Sequence, residues 1–231
     1  MTTVLAIDTA TNACSAAVWE DGSIIASRYE EMIRGQAERL MPMVAEIADE
    51  VGRSIKNVNL VAVTIGPGAF TGVRIGLAAA RGFALSAKVS CLGLTTLEVI
   101  AASIVPARSM VLVALSSKRE DVYFQIFDCD GAQCNEATTA QPEQVSVIAA
   151  QYAINGKDFI LAGDGALAVS EHLCEVGIHS EILPIRYPHA AVVAKLAASR
   201  LLSGGPISRP KPLYLRAPDA TIPLLGGRLR P

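Results

Sequence analysis

The chain has 231 residues, of which 51% are hydrophobic and 18% are charged. A chain of this length forms one large domain or two small ones, and this composition excludes intrinsic disorder and a coiled-coil rod. With 20 Lys and Arg against 22 Asp and Glu, the formal net charge is −2. The chain as a whole therefore lacks the bulk positive charge of a stand-alone nucleic-acid-binding protein.

Cysteine usage and hydropathy predict the compartment. The five cysteines form no Cys-x-x-Cys pair, which is typical of reduced, buried thiols. No uncharged apolar stretch reaches 18 residues, and the first residues lead directly into an apolar run without a basic leader. We therefore expect a soluble cytoplasmic protein that does not contact the membrane.

The first half of the chain opens with short apolar runs, and Asp21-Gly22 between two alternating runs predicts a hairpin. The expected elements are strands at 4–8, 14–20 and 23–30, a helix at 36–51, a strand at 59–65, a helix at 72–87, a strand at 89–94 and a helix at 95–104.

The second half repeats the order of three strands, a helix, a strand and a helix, although residue identity between the halves is negligible. Its expected elements are strands at 110–115, 121–128 and 132–137, a helix at 142–152, a strand at 159–162 and a helix at 166–176, followed by a last helix at 190–202. This repeat predicts an α/β protein in which two lobes with mixed sheets face each other across a cleft.

The boundary between the lobes is expected near Pro106. Residues 1–106 then form the first lobe and residues 107–216 a second, smaller lobe, with the last helix packing back on the first. The prolines after Arg209 exclude a mainly helical end, and residues 217–231 are predicted to form a loose tail.

Two loops are candidates for binding phosphate. Asp8, Thr9 and Thr11 follow the first strand, where a carboxylate could hold the water of a cation and the hydroxyls could meet phosphate oxygens. Gly163-Asp164-Gly165 is placed similarly after a strand of the second half. The structural alternative for both loops is a turn that caps the strand.

The helix at 72–87 is apolar around most of its circumference. A stripe of small residues at Gly72, Gly76, Ala80 and Ala84 leaves room for a second helix to approach closely. The alternative is a helix buried wholly within one subunit. With the neighbouring helix at 36–51, the sequence predicts a partner interface at Leu40, Met43, Ile47, Gly72, Val73, Gly76, Ala80, Phe83 and Ala84.

The sequence does not support metal-dependent or serine-hydrolase chemistry. The three histidines, His172, His179 and His189, have no metal-ligand spacing, and no Gly-x-Ser-x-Gly string occurs. The sequence predicts no metal site.

Several strings together resemble the TsaB (YeaZ) family of bacterial tRNA threonylcarbamoyladenosine synthesis. They are Ala6-Ile-Asp-Thr9, Gly66-Pro-Gly-Ala-Phe-Thr-Gly-Val-Arg-Ile-Gly-Leu77, Thr96-Leu-Glu98, Gly163-Asp-Gly-Ala166 and Pro212-Leu-Tyr-Leu-Arg216. The resemblance implies the two-lobed actin/Hsp70/sugar-kinase ATPase fold, in agreement with the duplicated element order.

The resemblance also implies a non-catalytic, structural and activating subunit. Its partners would be a TsaD-like catalytic subunit and a TsaE-like ATPase, and together they transfer threonylcarbamoyl to the adenosine 3′ of the anticodon in tRNAs that read codons beginning with A. The implied interface joins the first-lobe helices to those of the catalytic subunit, or to a second copy when the chain is alone. The resemblance implies that the chain contacts tRNA only through the complex. It implies no cofactor for the chain itself, with ATP and Mg possible only in the assembled complex.

Two departures bear on this function. The catalytic paralogue binds its metal through two histidines, whose places here correspond to Thr96 and Ile100, so the resemblance implies that the catalytic centre is absent. The loop Ser116-Ser-Lys-Arg119 lacks the acid that many relatives carry. A nucleotide-binding ATPase or phosphotransferase using Asp8, Thr9 and Thr11 is the alternative, and a glycoprotease-like peptidase is disfavoured.

Overall fold

Two five-stranded mixed sheets organise the computed structural model, which describes residues 1–52, 57–153, 158–207 and 209–216. The elements of the first half are β1 (Thr3–Asp8), β2 (Ala13–Glu20), β3 (Ser23–Glu31), α1 (Gln36–Val51), β4 (Leu60–Thr64), α2 (Phe70–Ala87), β5 (Ser90–Leu94) and α3 (Thr96–Ala101). Those of the second half are β6 (Met110–Ser116), β7 (Val122–Phe127), β8 (Thr138–Ala140), α4 (Pro142–Ala150), β9 (Phe159–Ala162), α5 (Ala166–Glu175), β10 (Ser180–Ile182) and α6 (Ala190–Leu202).

The two sheets have the same topology. The first runs β3-β2-β1-β4-β5 and the second β8-β7-β6-β9-β10. In each, the first strand of the half pairs antiparallel with the second and parallel with the fourth. The predicted α/β fold of duplicated βββαβα units is thereby confirmed, with a further strand and helix closing each half.

Each sheet is covered on both faces, but one covering helix comes from the other half of the chain. Helices α1 and α2 pack on one face of the first sheet. The opposite face is covered by α6, whose Val193, Ala194 and Ala197 have no exposed surface. In the second lobe, α4 and α5 cover one face, and α3 packs against the other through Leu97 and Ile100. The helices that end the two halves are therefore exchanged between the lobes.

Local sequence explains the helix ends that matter below. Helix α1 turns Leu40, Met43, Val44 and Ile47 inward at helical spacing, and it ends at Gly52, whose φ of 66° is left-handed. Helix α3 begins with a capping box, in which the Thr95 hydroxyl accepts from the Glu98 N–H and Glu98 Oε1 accepts from the Thr95 N–H.

Several sequence predictions are wrong at the level of single elements. No strand occupies 132–137, where only Gln133 bridges to Phe127; the third strand of that half is β8. The edge strand β10 is not predicted, and α2 begins at Phe70 rather than at Gly72. The predicted loose tail at 217–231 lies outside the described residues.

Membrane insertion finds no support in the helices. Within the parts of the chain that the structure describes, none of them is both long enough and apolar enough to span a bilayer.

Candidate functional site

Asp8 ends β1 in the interior of the first lobe. The side chain has no exposed surface. Its Oδ1 accepts hydrogen bonds from Thr64 Oγ1 and from the Ala10 N–H at 3.1 Å, whereas Oδ2 has no hydrogen-bond partner. Burial disfavours the charged carboxylate and raises the pKa of Asp8 to about 7, although both hydrogen bonds oppose this shift.

The threonines that follow Asp8 are also enclosed. Thr9 Oγ1 donates to the carbonyl oxygen of Gly72 at 2.7 Å. The Thr11 hydroxyl is buried and lacks a partner. The predicted phosphate loop therefore directs Thr9 at the start of α2 rather than at a ligand.

The glycine-rich crossover between β4 and α2 closes over this loop. The Ala69 N–H donates to the Ala10 carbonyl at 2.7 Å, and a Cβ atom on Gly68 would lie 2.1 Å from the same oxygen. Only glycine permits this approach. In this arrangement Asp8 and Thr9 are enclosed by the chain's own loops, and their role in binding a metal and phosphate stays a prediction.

The second predicted phosphate loop is built into the end of the second sheet. Gly163 has a φ of 98°, and a Cβ there would lie 1.9 Å from the Ala114 carbonyl oxygen. Asp164 Oδ1 accepts from the Ser116 N–H at 2.8 Å, and burial raises the pKa of this carboxyl. Gly165 donates its N–H to the Ala114 carbonyl. Gly163, Asp164 and Gly165 thus all make contacts that stabilise the turn between strand and helix.

A cleft of about 540 Å³ lies between the lobes. Its walls include Arg34, Gln36, Phe70 and Gly72 from the first lobe and Ser117 and Lys118 from the second. Neither predicted phosphate loop lines this interlobe cleft. Within the described residues, no three His, Cys, Asp or Glu side chains cluster as metal ligands.

The predicted partner-interface residues lie on the inner faces of α1 and α2. A Cβ on Gly72 would lie 2.1 Å from the Thr9 carbonyl oxygen, and one on Gly76 would lie 2.8 Å from Thr9 Oγ1. Val73, Ala80 and Ala84 are buried in the same core as Leu40, Met43 and Ile47, and Phe83 is half-buried against it. The small stripe thus admits this chain's own β1 loop and sheet, so these residues do not form the surface that the sequence predicted.

Apolar residues are also exposed on the solvent sides of the same helices, among polar ones such as Glu38 and Arg74. Ala37, Met41 and Ala45 are exposed along α1, and Ala78, Gly82 and Leu85 are exposed along α2. Leu85 is 80% exposed, and a Cβ on Gly82 would meet nothing within 4 Å. We call these six residues the outward face. Sequence analysis missed it, although Ala78, Gly82 and Ser86 also step by four residues.

The side chains at the beginning of α3 are buried or make contacts within the protein. Thr96 and Ile100, the places where the resemblance puts the metal-binding histidines of the catalytic paralogue, are fully buried. Glu98 is held by the capping box, and its Oε2 accepts from Arg200 of α6 at 2.8 Å. The carboxylate therefore joins two helices.

Comparison with protein families and sequences shows that the chain is similar to proteins that take part in a single tRNA modification. Residues 24–224 match the family model described as TsaD, tRNA N6-adenosine threonylcarbamoyltransferase. The tRNA threonylcarbamoyladenosine biosynthesis protein TsaB of Escherichia coli K12 is 32% identical over 219 residues, which cover 92% of this chain and 94% of that protein. The TsaB protein of Haemophilus influenzae is 33% identical over 125 residues, or 53% of this chain and 52% of that one.

Solved structures agree with this placement. A Pseudomonas aeruginosa protein described as similar to peptidase YeaZ superposes with a TM-score of 0.81 at 29% identity, covering 94% of this chain and all of that one. YeaZ from the same organism gives a TM-score of 0.74 at 28% identity, with 93% and 100% coverage. The two-lobed actin/Hsp70/sugar-kinase fold is confirmed, and the chain belongs to the TsaB family of tRNA threonylcarbamoyladenosine biosynthesis proteins.

Proposed function

We propose that this chain is a non-catalytic subunit that docks onto a TsaD-like catalytic subunit through the outward face of α1 and α2. The assembly, completed by a TsaE-like ATPase, transfers threonylcarbamoyl to the adenosine 3′ of the anticodon in the cytoplasm. Contact with tRNA then arises through the complex, and the same face pairs with a second copy when the catalytic subunit is absent. The observation that carries this proposal is the set of exposed small and apolar residues on two adjacent helices.

The composition of the outward face supports helix-to-helix docking. Helices pack with their axes about 8–10 Å apart, and small side chains at the contact allow the closer values. Ala78 and Gly82 lie one turn apart on α2, and Met41 and Leu85 supply large apolar side chains beside them. Two such helix pairs would form a four-helix bundle that removes this surface from water.

The non-catalytic part of the proposal rests on α3. Thr96 and Ile100 are fully buried and lack imidazole nitrogens, so this helix cannot present a metal to substrate. We therefore expect the purified chain, given tRNA and threonylcarbamoyl-AMP without a TsaD-like subunit, to form no threonylcarbamoyladenosine. Formation at the rate of the complete system would contradict the non-catalytic role.

Docking is tested by Ala78→Arg. The substitution places a long charged side chain on an exposed position, so the chain should still fold, but the charge would be buried without a partner in the complex. Such a charge costs several kcal/mol, which corresponds to roughly 100-fold weaker binding or more. Co-elution with the catalytic subunit should be lost, together with modification by the complex.

The matched control is Ala168→Arg. Ala168 is exposed on α5, which holds in the second lobe the place that α2 holds in the first. This variant should assemble like the unmodified chain. If Ala78→Arg stays folded and still co-elutes, or if Ala168→Arg disrupts assembly equally, the outward face is not the docking surface.

A nucleotide-dependent phosphotransferase is the second candidate, because a cleft of nucleotide size separates the lobes. Asp8 does not reach that cleft, so we expect weak or no binding of ATP with Mg to the free chain by calorimetry. A micromolar dissociation constant that Asp8→Ala abolishes would favour this candidate instead. The peptidase alternative gains nothing from the described residues, among which no Ser, Thr or Cys side chain is hydrogen-bonded to a histidine.

A further inference from the structure

The segment of residues 209–216, here called the strap, runs along the first lobe beside α2. Arg81 of α2 donates from Nη2 to the Pro210 carbonyl oxygen at 2.6 Å. The Leu213 N–H donates to the Ile65 carbonyl at the end of β4, at 2.8 Å. The strap is therefore attached at both the helix and the strand that precedes it.

Tyr214 joins the strap to the first turns of α2. Arg74 Nε donates to the Tyr214 hydroxyl at 3.0 Å, and the guanidinium carbon of Arg74 lies 3.6 Å from the centre of the Phe70 ring. The rings of Phe70 and Tyr214 lie 5.4 Å apart. Phe70 also lines the interlobe cleft, so the cluster of Phe70, Arg74 and Tyr214 connects α2 and the strap with the edge of the cleft.

The far end of the strap reaches the second lobe. Arg216 forms an ion pair with Asp121, just before β7. Asp121 also accepts from Ser117 Oγ and Thr139 Oγ1, both at 2.6 Å. Burial alone would raise the pKa of Asp121, but these hydrogen bonds and the charge of Arg216 lower it to about 2. A charged Asp121 therefore links the strap to Ser117, which is part of the second-lobe wall of the cleft.

We propose that the strap couples α2 to the second-lobe wall of the interlobe cleft, with Arg216–Asp121 as its releasable contact. The coupling gives a physical route by which a partner bound at α2 changes the relation between the lobes, and this consequence rests on the proposed function. Coupling of this kind is reciprocal, so a change in the cleft also alters binding at α2.

Hydrogen exchange of the free full-length chain tests the coupling without any partner. Arg216→Ala should raise exchange at 116–123 by about two- to fivefold, the factor that a partly exposed ion pair contributes to local opening. Arg74→Ala, which removes the donor to the Tyr214 hydroxyl, should raise exchange in the same segment. In the double variant the Arg74→Ala effect on that segment should disappear, because the route is already broken.

Arg108→Ala is the matched control, since Arg108 forms an ion pair with Glu181 inside the second lobe. It should leave exchange at 116–123 unchanged. Unchanged exchange there in Arg216→Ala, or an Arg74→Ala effect confined to α2 and the strap, would overturn the coupling. Docking through the outward face is tested by a different experiment, the co-elution of Ala78→Arg with the catalytic subunit. A failure of one proposal can therefore be distinguished from a failure of the other.

Discussion

Replacing Asp8 by Asn should remove one pH-dependent contribution to the protein's stability. In the folded chain Asp8 ionises near pH 7, whereas the unfolded chain ionises near 3.8. The folded state thus retains a proton that the unfolded state releases, and this stabilising contribution is complete at pH values below 3.8 and lost as the pH rises through 7. The pKa values of Asp8 in the folded and unfolded states differ by about three units, so its ionisation lowers the free energy of unfolding by about 4 kcal/mol at pH 8. About 2–3 kcal/mol of this is lost between pH 5 and pH 8.

An Asn side chain keeps the shape and the acceptor for Thr64 but does not ionise. It also leaves an amide group where Oδ2 of Asp8 lacks a partner, at a cost of about 1–3 kcal/mol that does not depend on pH. The difference in unfolding free energy between Asp8→Asn and the unmodified chain should therefore shift by about 2–3 kcal/mol in favour of the variant between pH 5 and pH 8.

The assay is urea denaturation at several pH values, followed by circular dichroism. Asp49→Asn, on the exposed side of α1, supplies the baseline for an exposed Asp-to-Asn change. If the stability difference between Asp8→Asn and the unmodified chain is the same at pH 5 and pH 8, Asp8 is not a buried acid of raised pKa. That result would contradict the enclosure of the loop after β1.

Glycine substitutions in α2 should have opposite effects on its two sides. Gly72→Ala puts a methyl group against the Thr9 carbonyl and should lower stability by at least about 1–3 kcal/mol, whereas Gly82→Ala meets open space and should raise it by about 0.5–1 kcal/mol. Thermal and urea unfolding of the pair measure both, and equal effects would contradict the assigned orientation of α2. Thr95→Ala should cost about 1 kcal/mol by removing the acceptor of the Glu98 N–H, and Thr95→Ser should restore most of that stability.

The sequence predicts the duplicated architecture because strand and helix periodicities survive in both halves. It misplaces the third strand of the second half because side chains accept several of the backbone N–H groups there. Asn135 Oδ1 accepts from the Ile126 N–H at 2.7 Å, and Asp128 Oδ1 accepts from the N–H groups of Asp130 and Ala132. Local hydrogen bonds of this kind compete with a sheet ladder, and residue propensities do not reveal which of the two prevails.

The candidate sites were harder to predict than the fold, because α2 has small residues on two opposite sides. The stripes that contain Gly76 and Gly82 look equally suited to close packing in the sequence. Contact with Thr9, distant along the chain, decides which stripe turns inward. Asp8 is likewise found at the predicted strand end, but its burial depends on the crossover at Gly68, which a local pattern cannot supply.

The exchange of α3 and α6 between the lobes has a consequence for how the chain is made. The last strand of the first sheet ends at Leu94, and α6 begins roughly a hundred residues later. At about 5–20 residues per second, a ribosome takes at least several seconds to deliver the helix that covers that face. Until then Val4, Trp19 and Leu92 remain exposed to solvent. We therefore expect chaperones to bind the first lobe while the chain is being synthesised. A fragment that ends at residue 106 would keep this face uncovered permanently, and supplying α6 as a separate peptide should restore its solubility.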